Sequence, residues 1–422
     1  MPKDWSAANQ KKRKRKEGIT LFRKWGTYDL GFNTLRNAGI SELRAFIQRL
    51  DANSRWATTR PHTMEKLMNQ PKRSALEVLN SVQREPFNDD LIIINDHGSL
   101  QEYLAQCFTK PLLYPSTLTH ASHITWDDFW GYLQNNSKKK IDVYDYSILN
   151  ESTRTQQRTV QKVIDHWAQP PHSRTPLNCL DIENRLGHCC PVPIITVNLL
   201  ERALLHAEKS IGKTESTWSS SHAEFLVAST ANAVSTIHTD SGGGLTFIKI
   251  LHGRKIFYFP RRVDSSSIRL LAQVGAQHVK GYIDGWARVE LQPGDLFIMP
   301  PLFPHAVFTP EDSLFAGGNF YTAAHLSSTL EAIRCQEDYP TISNEDLMDK
   351  HYETLTRVLK SFHLLGTPDE VKRVWGNCSL FTDKKDLSNM ENFEGVGPRE
   401  FFIQGLREFA IKAQASFKKE RE

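Results

Sequence analysis

Hydrophobic and polar positions divide the chain into three textures. Over roughly residues 18–140 apolar side chains recur at i, i+3 and i+4, as Leu43, Phe46, Ile47 and Leu50 do within 41–50. That is the period of a helix with one buried face, and Ser41 is a fair N-cap for it. Shorter stretches of the same kind cover 63–67 and 74–82, and the aromatic-rich run 124–130 is expected to pack this region onto its neighbour.

Near residue 140 the period changes to two. Ile141, Val143 and their polar neighbours up to Tyr146 alternate as a half-buried strand does. The runs 245–251 and 254–259 are rich in β-branched and aromatic residues and flank His252-Gly253, so they read as a hairpin. Two further strands, 286–291 and 295–299, are joined by Gln292-Pro293-Gly294, and another follows at 305–308. Short strands punctuated by Gly and Pro predict a double-sheet barrel. Past Ala324 the helical period returns, over 328–335, 346–365 and 399–417. The fold class is therefore α+β, and the expected organisation is an arm (1–17), a mainly helical region (18–140), a β-barrel (141–325) and a C-terminal helical region (326–422).

A chain of 422 residues suggests two or three packed units, because a single core stops growing near ~250–300 residues. Apolar residues make up 39% and charged residues 24%, which excludes wholesale disorder. The longest apolar run, 91–94, is strand-sized and far short of the roughly 18–20 residues that span a bilayer. No membrane association is expected. The start of the chain has no apolar stretch of the secretory kind, and the six cysteines show no C-x-x-C spacing; an intracellular, reducing setting is expected. His188-Cys189-Cys190 is read as structural.

The net charge of +4 is unevenly distributed. Residues 1–16 carry seven basic side chains against Asp4, which leaves 45 basic and 47 acidic residues in the remainder. The run Lys11-Lys12-Arg13-Lys14-Arg15-Lys16 cannot pack, since adjacent like charges repel. It is expected to be a disordered arm that serves as a nuclear-import signal or touches DNA phosphates.

The chemistry gathers around His238 and Asp240. Residues i and i+2 of a strand point to one face, so this H-x-D pair can offer an imidazole and a carboxylate to one ion. Two histidines and one carboxylate form the facial triad of non-haem Fe(II) oxygenases. His305, delivered by the turn Pro300-Pro301-Leu302-Phe303-Pro304, is the candidate third ligand. Lys255, seventeen positions past His238 and flanked by Phe257, Tyr258 and Phe259, is read as pointing inward, where a fixed cation can hold the distal carboxylate of a keto acid.

These segments, together with Gly242-Gly243, Thr309-Pro310 and Gly317-Gly318-Asn319-Phe320, resemble the JmjC (Jumonji-C) domain. The similarity runs from about 141 to 325, and the segments 141–143 and 177–179 match two upstream strands. It points to the histone lysine demethylases that usually carry a plant homeodomain finger, which has no counterpart among the cysteines here. The resemblance implies a double-stranded β-helix of jelly-roll, cupin-like form. It implies an Fe(II)- and 2-oxoglutarate-dependent dioxygenase, in which O₂ and the keto acid drive demethylation of N-methyl-lysine on a histone tail or another protein, with release of formaldehyde, in the nucleus. His238, Asp240 and His305 would bind iron, and Lys255 the cosubstrate carboxylate. Ser235 stands where the family has a threonine on that carboxylate, and Asn178 and Asn319 match asparagines that line the site. Ile248 stands where the branch has a tyrosine. Two alternatives stay open: hydroxylation of a protein side chain or nucleic acid, and a non-catalytic JmjC-like chromatin-binding module.

Overall fold

A computed structural model describes residues 90–119, 124–136, 139–145, 148, 155–171, 173–211, 224–261, 268, 286–343, 345–381 and 397–419. The basic arm and the helices expected at 41–50, 63–67 and 74–82 lie outside these residues. The described chain is α+β, built on two sheets. The larger contains β1 (Ile92–Ile93), β2 (Leu112–Tyr114), β3 (Lys140–Asp145), β4 (Thr155–Thr159), β5 (Leu177–Glu183), β6 (Glu224–Ser229), β8 (Leu245–His252), β11 (Leu296–Met299) and β13 (Ser313–Phe320). Its strand order is β1-β2-β11-β8-β13-β6-β5-β3-β4, antiparallel except for β1 against β2. The smaller contains β7 (Val234–His238), β9 (Lys255–Pro260), β10 (Trp286–Leu291) and β12 (His305–Phe308), in the antiparallel order β10-β9-β12-β7.

The sheets pack face to face. Phe257 of β9 meets Phe297 of β11 with ring centroids 5.2 Å apart, and both join a cluster with Ile248, Ile250, Val289 and Leu291. All six residues of β9 are buried, so the alternation of a half-exposed strand is absent there. From β6 to β13 the chain changes sheet at every step except β9 to β10, which pair antiparallel within the smaller sheet.

The expected hairpin between 245–251 and 254–259 is corrected by this exchange. β8 pairs with β11 and β13, whereas β9 pairs with β10 and β12. Gly253 makes a corner, with φ of 68°, and a Cβ there would overlap the carbonyl oxygen of Asp312. Both the left-handed backbone and the close approach require glycine. Gly253→Val is expected to cost about 2–5 kcal/mol, from a left-handed penalty of roughly 1–2 and overpacking of roughly 1–3. A lower urea midpoint at unchanged slope would register it.

Helices cover the sheets. α1 (His97–Leu104) and α2 (Trp126–Asn135) precede β3, so the described part of the region read as mainly helical also supplies β1 and β2 to the large sheet. α2 starts in a capping box made by Thr125 and Asp128. Its Phe129 is buried with Val143, Leu177 and Leu226 of that sheet, and Trp126 stacks on His252. α3 (Val160–Trp167), α4 (Val192–Val197) and α5 (Leu199–Ile211) lie between strands. The C-terminal region folds as α6 (Leu326–Asp338), α7 (Asp349–Leu365), α8 (Pro368–Asn377) and α9 (Pro398–Lys419). Leu355, Val358, Leu359 and Phe362 of α7 recur with helical spacing and are buried with Phe402, Leu406 and Phe409 of α9. Among the described residues no helix is long and apolar enough to cross a membrane.

Candidate metal centre and its cavity

β7 and β12 build the site between them. Their antiparallel register sets His305 opposite His238 and Val307 opposite Ser235. Three steps along β7 therefore oppose two along β12, which is a β-bulge, and bulges re-aim side chains. Ser235 and His238 would face opposite ways on a regular strand, yet both line the same cavity. Asp240 keeps an extended backbone two residues past His238. His305 follows the turn in which Leu302 takes a φ of 56°, a conformation uncommon outside glycine.

The donor atoms of His238, Asp240 and His305 all lie within 4.8 Å of one another. Among the described residues they form the one group of three or more His, Cys, Asp or Glu donors close enough to share an ion. The rings of His238 and His305 are 4.3 Å apart at 53°, and Nε2 of His305 lies 3.8 Å from Oδ1 of Asp240. His305 is 3% exposed, and its Nδ1 bonds the carbonyl oxygen of Phe303 at 3.0 Å. A carbonyl only accepts, so Nδ1 carries the proton and the Nε2 lone pair is left for a metal. Adjacent vertices of an octahedron with bonds of about 2.1 Å are about 3 Å apart, so the donor spacing and the donor set both fit a divalent transition metal.

Lys255, at the head of β9, is 3% exposed. Its Nζ donates to Oγ of Ser229 at 2.6 Å and Oγ1 of Thr309 at 2.8 Å, and lies 5.2 Å from the ring centroid of Phe315. No carboxylate is among its partners in the described residues. Burial holds its pKa down at about 7. A buried ammonium supported by two hydroxyls is a receptor for an anion.

Ser235, Asn178 and Asn319 line the same cavity of about 240 Å³ as the three donors and Lys255. Asn178 comes from β5, Asn319 from β13, and Oδ1 of Asn319 accepts from Oγ1 of Thr246 at 3.0 Å. Ile248, 6% exposed, adds to an apolar wall with Leu180, Phe225 and Val227. His188, Cys189 and Cys190 stand apart from the donor group; the backbone N–H groups of both cysteines donate to the Glu224 carboxylate, at 2.9 and 3.2 Å.

Several contributors carry no sequence signal. Ser229 reaches Lys255 from the end of β6. Tyr321 and His351 line the cavity from the C-terminal side, and the Tyr321 hydroxyl donates to the carbonyl of Gly242 at 3.3 Å. Burial, followed by the neighbouring Lys350, pushes the His351 pKa down to about 4. Its neutral ring accepts at Nδ1 from the backbone N–H of Met348 at 3.0 Å. An amphipathic helix pattern offers no reason to single out that histidine.

No protein-family model matches the chain. Among curated proteins, a JmjC domain-containing histone demethylation protein 1 from Candida albicans is 31% identical over 115 residues, which are 24% of this chain and 24% of that protein. The protein of the same name from Debaryomyces hansenii is 61% identical over 46 residues, 11% of this chain and 9% of its own length. Lysine-specific demethylase 2A from Xenopus tropicalis is 26% identical over 144 residues, 33% of this chain and 12% of that protein. The chain matches about a quarter or less of the length of these relatives. Through that shared segment the chain is a relative of the JmjC histone demethylases.

Proposed function

We propose that this chain is an Fe(II)- and 2-oxoglutarate-dependent oxygenase that demethylates N-methyl-lysine on a histone tail. The observation that carries this reading is the meeting, in one cavity, of the His238, Asp240 and His305 donors with the buried Lys255 ammonium. The unit spanning 141–325 would be a double-stranded β-helix. The orders β6-β13-β8-β11 and β7-β12-β9-β10 in two facing sheets support that form. The region 326–422 would close it, and the basic arm would direct the protein to the nucleus and touch DNA phosphates.

His238, Asp240 and His305 would hold the iron and leave its remaining positions to ligands. Bound Fe(II) supplies O₂ activation, with 2-oxoglutarate oxidised to succinate and CO₂ as the methyl carbon gains a hydroxyl. Lys255 and the Ser235 hydroxyl would bind the distal carboxylate, and the amides of Asn178 and Asn319 would orient the reactants. The apolar wall with Ile248 would keep water out. The carbon bearing both hydroxyl and amine nitrogen then leaves as formaldehyde when its C–N bond breaks, the nitrogen keeps a hydrogen, and the lysine is one methyl shorter. The chain's own proton-transfer groups have no obligatory part.

Methylated histone peptides incubated with the protein, Fe(II) and 2-oxoglutarate are expected to lose the mass of one methylene per succinate released. Succinate release with the gain of one oxygen atom, and no formaldehyde, would instead establish hydroxylation of a carbon that bears no nitrogen. Ile248 favours keeping that second reading, because the cavity wall lacks a phenol hydroxyl at the position where the demethylase branch has one.

A further inference from the structure

The metal centre proposed above depends on a turn that runs beyond the end of a strand. Asp240 lies past β7, leads into the turn Ser241–Gly243, and keeps a side chain that is 29% exposed. His305, by contrast, is buried, bonded to Phe303 and stacked on Phe257. The turn is anchored to the helical region that follows the barrel. The N–H of Thr239 donates to the carbonyl of Ile342 at 3.0 Å, and Oγ of Ser241 donates to the carbonyl of Asp346 at 3.2 Å. Gly242, with φ of 83°, leaves its Cβ space to the His351 ring.

Gln336 of α6 sits at the centre of this brace and is 3% exposed. Its Oε1 accepts from the backbone N–H of Gly242 at 3.1 Å. Its Nε2 donates to Oγ of Ser241 at 2.9 Å and to the carbonyl of Glu345 at 3.0 Å. One acceptor and both donors are thus used on three partners, two in the turn and one in the segment that anchors it. A carboxylate at 336 would lack the donors, and a shorter amide would lack the reach.

We infer that Gln336 is a positioning residue for the metal centre: its amide locks the 239–243 turn to the α6–α7 segment and so fixes the Asp240 carboxylate against His238 and His305. The inference rests on the metal-binding reading of those three residues. It makes the C-terminal helical region a working part of the site, because the ligand furthest from the strands takes its placement from that region.

The test is a Co(II) titration of the full chain, followed by affinity and by the visible ligand-field spectrum. Gln336→Met keeps the length and bulk of the side chain and removes all three hydrogen bonds. Its Kd for Co(II) is expected to rise roughly 10- to 100-fold, the usual effect of losing a group that orients a ligand, with a changed spectrum. An unchanged Kd and spectrum, with only a lower melting temperature of the metal-free protein, would overturn the inference. If Gln336→Met does not fold, Gln336→Asn, which keeps the amide one methylene short, is read by the same two measurements. Failure of the unsubstituted chain to take up Co(II) would refute the metal site itself, and this inference with it.

Discussion

Replacing His238 by alanine is expected to abolish metal uptake and, with it, succinate formation. The substitution leaves Asp240 and His305 as the donors of the group. Among the described residues no further His, Cys, Asp or Glu joins the three within ligand range. Loss of an orienting group already costs roughly 10–100-fold in metal affinity, so loss of a ligand is expected to cost more than about 100-fold. The rest of the site should survive the change. His305 keeps its bond to Phe303 and its contact with Phe257, and Lys255 keeps Ser229 and Thr309. The variant should therefore fold normally, fail to bind Co(II), and release no succinate above the level without enzyme. Retained turnover would remove the metal reading altogether.

The legible and illegible parts of this site differ for a physical reason. His238 and Asp240 can be paired from the sequence because the period of a strand is two. His305 and Lys255 stand far along the chain, and the residue pattern identifies them only as candidates. Their meeting depends on strands that change sheet at Gly253 and at the Pro-rich turn before His305. The same exchange defeats the hairpin expected at 245–259, since two β-rich runs about a glycine look alike whether they pair or part. Ser235, three residues from His238, falls on the wrong face of an ideal strand, and the bulge between β7 and β12 corrects it. The capping box of α8, Thr367 with Glu370 and Pro368 at the first turn, is a local signal that names a helix the apolar period leaves out. Ser229, Tyr321, Gln336 and His351 act through tertiary contacts, to which no local pattern corresponds.

The second large effect is expected at Lys255. Under the proposed reaction the distal carboxylate of 2-oxoglutarate binds a buried ammonium, and truncating one member of such a pair costs about 2–5 kcal/mol. Lys255→Met should therefore weaken 2-oxoglutarate binding by roughly 30- to several-thousandfold, while Co(II) binding at His238, Asp240 and His305 stays within a fewfold of the unsubstituted protein. Burial without an anion holds the Lys255 pKa down at about 7, against an ordinary value of 10.5, and the sign of the pH dependence follows. Between those values the unfolded chain holds a proton that the folded, ligand-free protein has given up. Stability should accordingly rise with pH across that window, by up to about 1.4 kcal/mol per unit, and Lys255→Met should flatten the rise. Binding runs the other way. Above pH 7 the neutral amine must take up a proton to meet the carboxylate, so affinity should fall by up to about tenfold per unit until the pKa of the complex is reached. Calorimetry at pH 6.5 and 8.5, in buffers of different ionisation enthalpy, should show weaker binding and the uptake of a proton at the higher pH. Affinity that does not change with pH and is unaltered in Lys255→Met would show that the carboxylate is held elsewhere.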